Sequence, residues 1–260
     1  MGLFKKEAII ALLIFFVSCS EREQENNSNE NDRFNCKEFY SDGRVKSLGD
    51  TINGKYEGLY KEFYPNGNIR YINFYKRGLL NGHIQEFFEN GNPKIDMYYI
   101  MNKPMGVQYI FFESDSARVR NKFIVSRYKD KEVLVSRIEF NERGDTISDE
   151  SRVKVYLAKD TFDIGDKISM ELTLNYPVFK NHRVHIGNFD RTLSLIDSIG
   201  YQTYEGLGNK ASIEFSLNRK GKNVIRGYME DFEIEKKNPD GSYTTIGTLN
   251  NWFDVEIFVK

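Results

Sequence analysis

The chain has 260 residues, enough for two domains, with 37 basic and 38 acidic side chains and a net charge of −1. That balance excludes the basic excess of a phosphate-backbone binder, so no nucleic-acid partner is expected. Sixteen tyrosines, 20 phenylalanines and 20 glycines favour strands over helices.

Residues 1–18 read as a targeting segment rather than as structure. Lys5 and Lys6 give a positive start, and the apolar run Ala8 to Val17 is ten residues long, against about 20 for a bilayer span. It ends at Val17-Ser18-Cys19. This resembles a lipoprotein signal peptide, in which the Cys19 thiol takes a diacylglycerol before cleavage. An ordinary secretory leader with an incidental cysteine is the alternative. The resemblance implies a membrane partner through a lipid anchor at Cys19. Ser20 after the cysteine, rather than Asp, fits the outer membrane of a diderm bacterium, on its periplasmic face or at the cell surface. Residues 19–33 hold no apolar residue beyond the cysteine, which predicts a disordered tether reaching about 20 Å.

Residues 34–149 repeat at a step of 24: Phe39-Tyr40-Ser41-Asp42-Gly43, Phe63-Tyr64-Pro65-Asn66-Gly67, Phe87-Phe88-Glu89-Asn90-Gly91, Phe111-Phe112-Glu113-Ser114-Asp115. Gly58, Gly82 and Gly106 keep the same step, with Gly54 and Gly78 four residues earlier. Each unit predicts two short strands and two turns. The second unit has arms over Gly58 to Tyr64 and Ile69 to Tyr75, and the link Lys76 to Gly82 leads into the arm His83 to Phe88. Asp42-Gly43, Asn66-Gly67 and Asn90-Gly91 predict two-residue type I′ turns. Successive hairpins form an antiparallel meander that no single unit can stabilise alone. Adjacent aromatics point to opposite faces. Phe39, Phe63, Phe87 and Phe111 are expected in the repeat core. The neighbouring track Tyr40, Tyr64, Phe88 and Phe112 is the candidate binding face, where exposed rings stack on sugars or anchor a partner protein. Cys36 aligns with Tyr60, Ile84 and Gln108 and is expected to pack.

The aromatic-aromatic-x-x-Gly turn followed by Lys76-Arg77-Gly78-Leu79-Leu80-Asn81-Gly82 resembles the bacterial variant of MORN repeats, over about Phe34 to Thr146. The resemblance implies membrane or protein association, and some bacterial members carry an antitoxin label. The fourth unit departs, with Asp115-Ser116 at the turn. A fifth, shifted echo is Phe140-Asn141-Glu142-Arg143-Gly144. The charged stretch Arg118 to Lys131 reads as an insertion that caps the array and abuts the next domain, making one stiff rod in which that domain protects the end of the sheet.

Residues 150–260 change to strict alternation. Val153, Val155 and Leu157, then Ile168, Met170, Leu172 and Leu174, then Ile213, Phe215 and Leu217, then Phe253, Val255, Ile257 and Val259 each mark a strand with one apolar face. Turns fall at Asp163 to Asp166, Arg219 to Lys222 and Asn238 to Gly241. About seven strands in this length predict an Ig-like antiparallel sandwich, and Gly221 to Tyr228 resembles the penultimate hairpin of bacterial extracellular Ig-like domains. Trp252 is expected in the core. The fold class is therefore all-β: an antiparallel meander of MORN-like hairpin repeats followed by an Ig-like β-sandwich.

Chemistry is sparse. His182 and His185 lie three apart in a strand and face opposite ways, so no shared metal is expected. Asp160, Asp163 and Asp166 crowd a loop, but their spacing matches no EF-hand. No nucleophile elbow, phosphate loop or zinc-helix motif occurs, so no catalytic residue and no cofactor is expected. The leading function is a non-enzymatic, lipid-anchored envelope protein with a protein partner. Glycan binding by the aromatic rows and an antitoxin or immunity role are the alternatives.

Overall fold

The structure, a computed structural model, describes residues 33–115, 118–128 and 131–260. The leader 1–18, Cys19 and the tether as far as residue 32 lie outside the described residues. No α-helix occurs among the described residues.

The first part runs as β1 (Cys36–Phe39), β2 (Val45–Ile52), β3 (Lys55–Phe63), β4 (Ile69–Lys76), β5 (Leu79–Leu80), β6 (Gly82–Phe87), β7 (Pro93–Ile100), β8 (Lys103–Pro104), β9 (Gly106–Phe111), β10 (Val119–Tyr128), β11 (Lys131–Phe140) and β12 (Thr146–Asp149). These form one 12-stranded antiparallel meander in the order β1-β2-β3-β4-β6-β7-β9-β10-β11-β12, with β5 on β4 and β8 on β7.

The two turns of each unit are of different kinds, and the Asn-Gly turns are not the predicted type I′. Tyr64 donates its N–H to the Asn68 carbonyl (2.8 Å) and accepts from Gly67 N–H (2.9 Å). Gly67 has φ +90° while Asn66 stays out of the left-handed region. This is a type I turn over Pro65-Asn66 closed by a left-handed glycine, a three-residue loop. Both central residues turn left-handed in the links instead, at Asn53-Gly54, Arg77-Gly78 and Met101-Asn102. The link is thus a tight hairpin of its own, pairing Lys76 with Leu79 and Ile100 with Lys103. The shifted fifth echo makes the same turn as the second unit, with Gly144 N–H on the Asn141 carbonyl at 2.9 Å and φ +90°.

The stretch read as a charged cap supplies a ladder strand, β10, with a register shift against each neighbour. β10 pairs with β9 on one side and β11 on the other, because Ile124 and Val125 supply buried side chains amid the charges. The sheet's last long edge is closed by the chain itself. Beyond β12, Glu150 N–H reaches the Arg137 carbonyl (2.8 Å) and Arg152 N–H the Val135 carbonyl (2.9 Å), which continues the ladder along β11.

The second part comprises β13 (Val153–Leu157), β14 (Thr161–Phe162), β15 (Lys167–Leu174), β16 (Asn181–Phe189), β17 (Leu195–Glu205), β18 (Lys210–Ser216), β19 (Gly221–Lys237) and β20 (Tyr243–Val259). A three-stranded sheet, β13-β15-β18, packs on a five-stranded sheet, β14-β20-β19-β16-β17. Their inner faces supply one core: Val153, Ile168, Met170, Leu172, Leu174 and Ile213 from the first meet Val184, Ile225, Met229, Phe253 and Ile257 from the second. Every alternating run in the sequence puts its apolar side here.

The outer face of the five-stranded sheet is covered too. Phe189, Leu193 and Trp252 join Val107, Ile124 and Val135 of the meander in a second buried cluster. The sandwich therefore packs on the face of β9 to β11, not across the end of the array. Trp252 is core, but the core it belongs to is this junction.

Candidate functional site

Direct cross-strand partners share a face. Leu48, Lys61, Ile72, Gln85, Asp96, Tyr109, Lys122 and Ile138 follow one another across the meander as such partners. This face carries the sandwich, and we call it the docking face. Ser47, Glu62, Tyr71, Glu86, Ile95, Ile110 and Asn121 mark the opposite face in the same way.

Alternation places Tyr40, Tyr64, Phe88 and Phe112 on the opposite face. They are half-buried rather than an open row. Tyr40 donates its hydroxyl to the Phe63 carbonyl (2.6 Å) and Tyr64 to the Phe87 carbonyl (2.9 Å), each one unit on. Cations lie over the rings: Arg70 is 5.6 Å from the centre of Tyr64, and Lys94 is 5.8 Å from that of Phe88. The same cations pair with Glu62 (3.0 Å) and Glu86 (2.7 Å), and Lys46 pairs with Glu38 (3.3 Å). The hydroxyls of Tyr40 and Tyr64 thus staple neighbouring repeats, and the ring faces of Tyr64 and Phe88 are engaged by cations of their own hairpins. Further along this face Tyr60 meets Tyr56 and Tyr75 edge to face beside Gly49, and Tyr56 and Tyr75 are tilted against each other, with ring centres 5.0–5.8 Å apart. A Cβ on Gly49 would fall 3.1 Å from Tyr60. Burial pushes the phenols of Tyr56 and Tyr60 up. Cys36 is buried beside them, in the lining position that Tyr60, Ile84 and Gln108 take in later units.

The Phe track lies on the docking face and is not uniformly core. Phe39 is 56% exposed, while Phe63, Phe87 and Phe111 are half-buried. On the same face, outside the area the sandwich covers, Phe74 and Ile100 are each 39% exposed. A single layer has no second sheet to close over these rings, and the sandwich reaches only the later units.

The junction is the most constructed part of the molecule. Gly106 sits at φ +83°, and a Cβ there would fall 1.9 Å from the Arg191 carbonyl oxygen. That oxygen accepts the Val107 N–H at 2.8 Å. The Arg191 guanidinium binds both oxygens of Asp96, at 2.9 and 3.2 Å, and lies over Tyr109 at 4.9 Å. His83 shares the Asp96 carboxylate at 2.6 Å. Burial pushes the Asp96 pKa up, but the bonds from His83 and Arg191 and the Arg191 charge outweigh it, so the carboxyl stays below its ordinary value. Burial also pushes the Tyr109 phenol up to about 12. A second clamp centres on Asp254, whose side chain is fully buried. It pairs with Lys122 of β10 and accepts Arg226 Nε at 2.6 Å. Behind it Trp252 meets Phe189 edge-on at 4.9 Å, and His185 stacks on Tyr228 at 4.5 Å while its Nδ1 meets the Tyr201 hydroxyl at 2.7 Å. None of Asp96, Arg191, Lys122 or Asp254 carries a motif. The one sequence signal at the junction is Gly106, as a member of the glycine track.

A cleft of about 340 Å³ opens beside the junction, lined by Tyr109, Arg118, Val119, Lys122, Phe140, Gly144 and Glu256. Its two cations are engaged, Arg118 with Asp115 (2.8 Å) and Lys122 with Asp254. His182 and His185 lie on opposite faces of β16. His182 is 3.3 Å from the buried Asp231, and His185 is 3.1 Å from Glu230. Asp166 accepts the Asp163 N–H at 3.1 Å and pairs with Lys159 at 3.0 Å, so this loop is a closed turn. No group of three or more His, Cys, Asp or Glu side chains suited to a metal occurs among the described residues.

A protein-family model described as MORN repeat variant matches residues 56–77 and 80–101. Each match starts just after a left-handed turn and ends in the next one, and so spans one hairpin of the meander. No curated protein matches the chain.

Proposed function

We propose that this chain is a non-enzymatic protein of the bacterial envelope, lipid-anchored at Cys19, in which the repeat sheet docks another protein. One observation carries the reading. The docking face already holds one protein surface, the chain's own sandwich, and the same face continues toward the N-terminus beyond the Asp96–Arg191 contact, with Phe39, Phe74 and Ile100 exposed. The opposite face offers less, since the Tyr40 and Tyr64 hydroxyls are bonded to the next repeat and cations lie over the Tyr64 and Phe88 rings. The two matched repeats belong to a type of module used for protein and membrane association, which fits this role. The Ig-like reading of the sandwich rests on strand order. An edge strand crosses to pair parallel with the last strand, Thr161 opposite Phe258, and the second sheet then runs β20-β19-β16, the order of the last, penultimate and third strands of that fold.

Two experiments test this. Photo-crosslinking residues placed at Phe39 and Phe74 are expected to trap protein in cells, while one at Tyr71 on the opposite face traps little; polysaccharide adducts, or equal yields from both faces, would contradict the reading. For the anchor, Cys19→Ala is expected to abolish labelling by a fatty acid, and a variant that still takes the label refutes it.

A further inference from the structure

The free edges of the sandwich are guarded unequally. Along the five-stranded sheet one edge is β14, only two residues long, and the other is β17, with 11. Natural edges are blunted by short length, proline or inward charge, lysine above all. β17 reads Leu195-Ile196-Asp197-Ser198-Ile199-Gly200-Tyr201-Gln202-Thr203-Tyr204-Glu205. It contains no Lys, Arg or Pro, and Ile196 and Ile199 are 61% and 81% exposed.

Its backbone is set up for pairing. Gly206 N–H donates to the His182 carbonyl at 2.9 Å. By alternation Tyr204 and Gln202, opposite Val184 and Ile186, turn their backbone groups toward β16, and Thr203 and Glu205 turn theirs outward. Ser198 to Tyr201 bulge off the strand, because Gln202 faces Ile186 whereas Asp197 faces Asn188. Gly200 at φ +72° and a bond from Ile199 N–H to Asp197 Oδ1 (3.0 Å) hold that bulge. The result is a short flat edge beside a projecting isoleucine.

We propose that the outer edge of β17 takes an extended, basic strand from another protein. Charge selects the occupant. The strand bears Asp197 and Glu205 and no cation, and Glu205 is exposed and makes no ion pair among the described residues. A second copy paired antiparallel over the full strand would set Asp197 against Glu205, carboxylate against carboxylate, and no register of two such edges supplies a cation, whereas a lysine- or arginine-bearing strand adds ion pairs to the ladder. This surface is separate from the docking face of the repeat sheet, and the proposal does not depend on the reading above.

Ten-residue random peptides displayed on phage, panned against the purified full chain, test it. Enriched peptides are expected to alternate apolar residues with Lys or Arg. They should bind at least tenfold more weakly to Thr203→Pro, which removes an outward N–H that β16 does not use, and to Glu205→Lys, which reverses the charge. The unfolding midpoint of Glu205→Lys should stay at the parent value, and that of Thr203→Pro, which also loses the 3.2 Å contact of Thr203 Oγ1 with His185 Nδ1, should fall slightly below it. If Thr203→Pro does not fold, Glu205→Lys carries the comparison alone. Absence of enrichment, enrichment of acidic or uncharged peptides, or equal binding to parent and variants overturns the proposal. So does a dimer of the parent chain that Thr203→Pro dissolves. None of these outcomes bears on crosslinks formed from Phe39 or Phe74.

Discussion

Gly106→Ala, compared with Gly58→Ala, isolates what the junction contributes. Both glycines occupy the same place in their units and both are left-handed, at φ +83° and +76°. Either substitution therefore carries the backbone cost of an L-residue in that region, about 1–2 kcal/mol. Around Gly58 nothing lies within 4 Å, so the cost ends there. At Gly106 the new methyl would overlap the Arg191 carbonyl oxygen at 1.9 Å, and the contacting atoms are backbone. The turn carrying Arg191 must lift away. That forfeits the Val107 bond, about 1 kcal/mol, and loosens the half-exposed Asp96–Arg191 pair, about 1 kcal/mol after solvent screening. The expected total is about 3–4 kcal/mol for Gly106→Ala against about 1–2 for Gly58→Ala. Urea unfolding of the full chain should separate the two midpoints by about 1 M. Trp252 is the only tryptophan and lies in the junction, so its emission should shift to the red in folded Gly106→Ala alone. Equal midpoint shifts with unchanged emission would show that the sandwich is not seated through Gly106.

Tyr64→Phe should lower stability by about 1 kcal/mol through loss of the bond to the Phe87 carbonyl, and Phe88→Tyr, which adds the hydroxyl at the equivalent place, should raise it by up to that amount; calorimetric melting checks both. Because the folded Asp96 pKa is held below its unfolded value, its contribution is present above the unfolded carboxylate range and is lost as pH falls through the folded value. Asp96→Asn should therefore be less stable than the parent at pH 7, with the gap closing in acid; a gap that is constant from pH 7 to 2 would exclude the linkage. The fragment 34–149, stripped of the sandwich, uncovers Val107, Ile124 and Val135, and should aggregate or unfold at lower urea than the same segment in the full chain, which light scattering and circular dichroism would register.

The 24-residue step was legible because the turn glycines and the aromatic pair recur in fixed phase, and the sandwich because alternation survives wherever one face is buried. Turn type was not legible. Asn-Gly suits both a two-residue type I′ loop and the end of a type I turn, and the loop length that decides between them depends on register. The aromatic tracks show the same limit. Alternation separates Phe63 from Tyr64 by face, but nothing local says which face a distant element covers, or that a tyrosine hydroxyl will be engaged by the next unit. The junction was least visible, since Arg191 finds Asp96 across 95 residues and Lys122 finds Asp254 across 132. Pairs that far apart leave no period, and each is one among many charged side chains.

The junction also explains why the sandwich sits at one place on a surface that repeats. The docking-face position on successive return strands is Leu48 on β2, Ile72 on β4, Asp96 on β7 and Lys122 on β10. Only the last two are charged, and their signs are opposite. Arg191 meets the acid and Asp254 meets the base. If the sandwich slid one unit toward the N-terminus, Arg191 would face Ile72 with no partner and the buried Asp254 would face Asp96, carboxylate against carboxylate. Arg191 would lose its partner and Asp254, which keeps Arg226, would meet a second carboxylate in place of a cation, and the exchange of one aromatic contact for another along the face offsets neither. The repeat makes the shape of the surface periodic, and these two residues break the period electrostatically. The sandwich is held to one register on the repeat sheet.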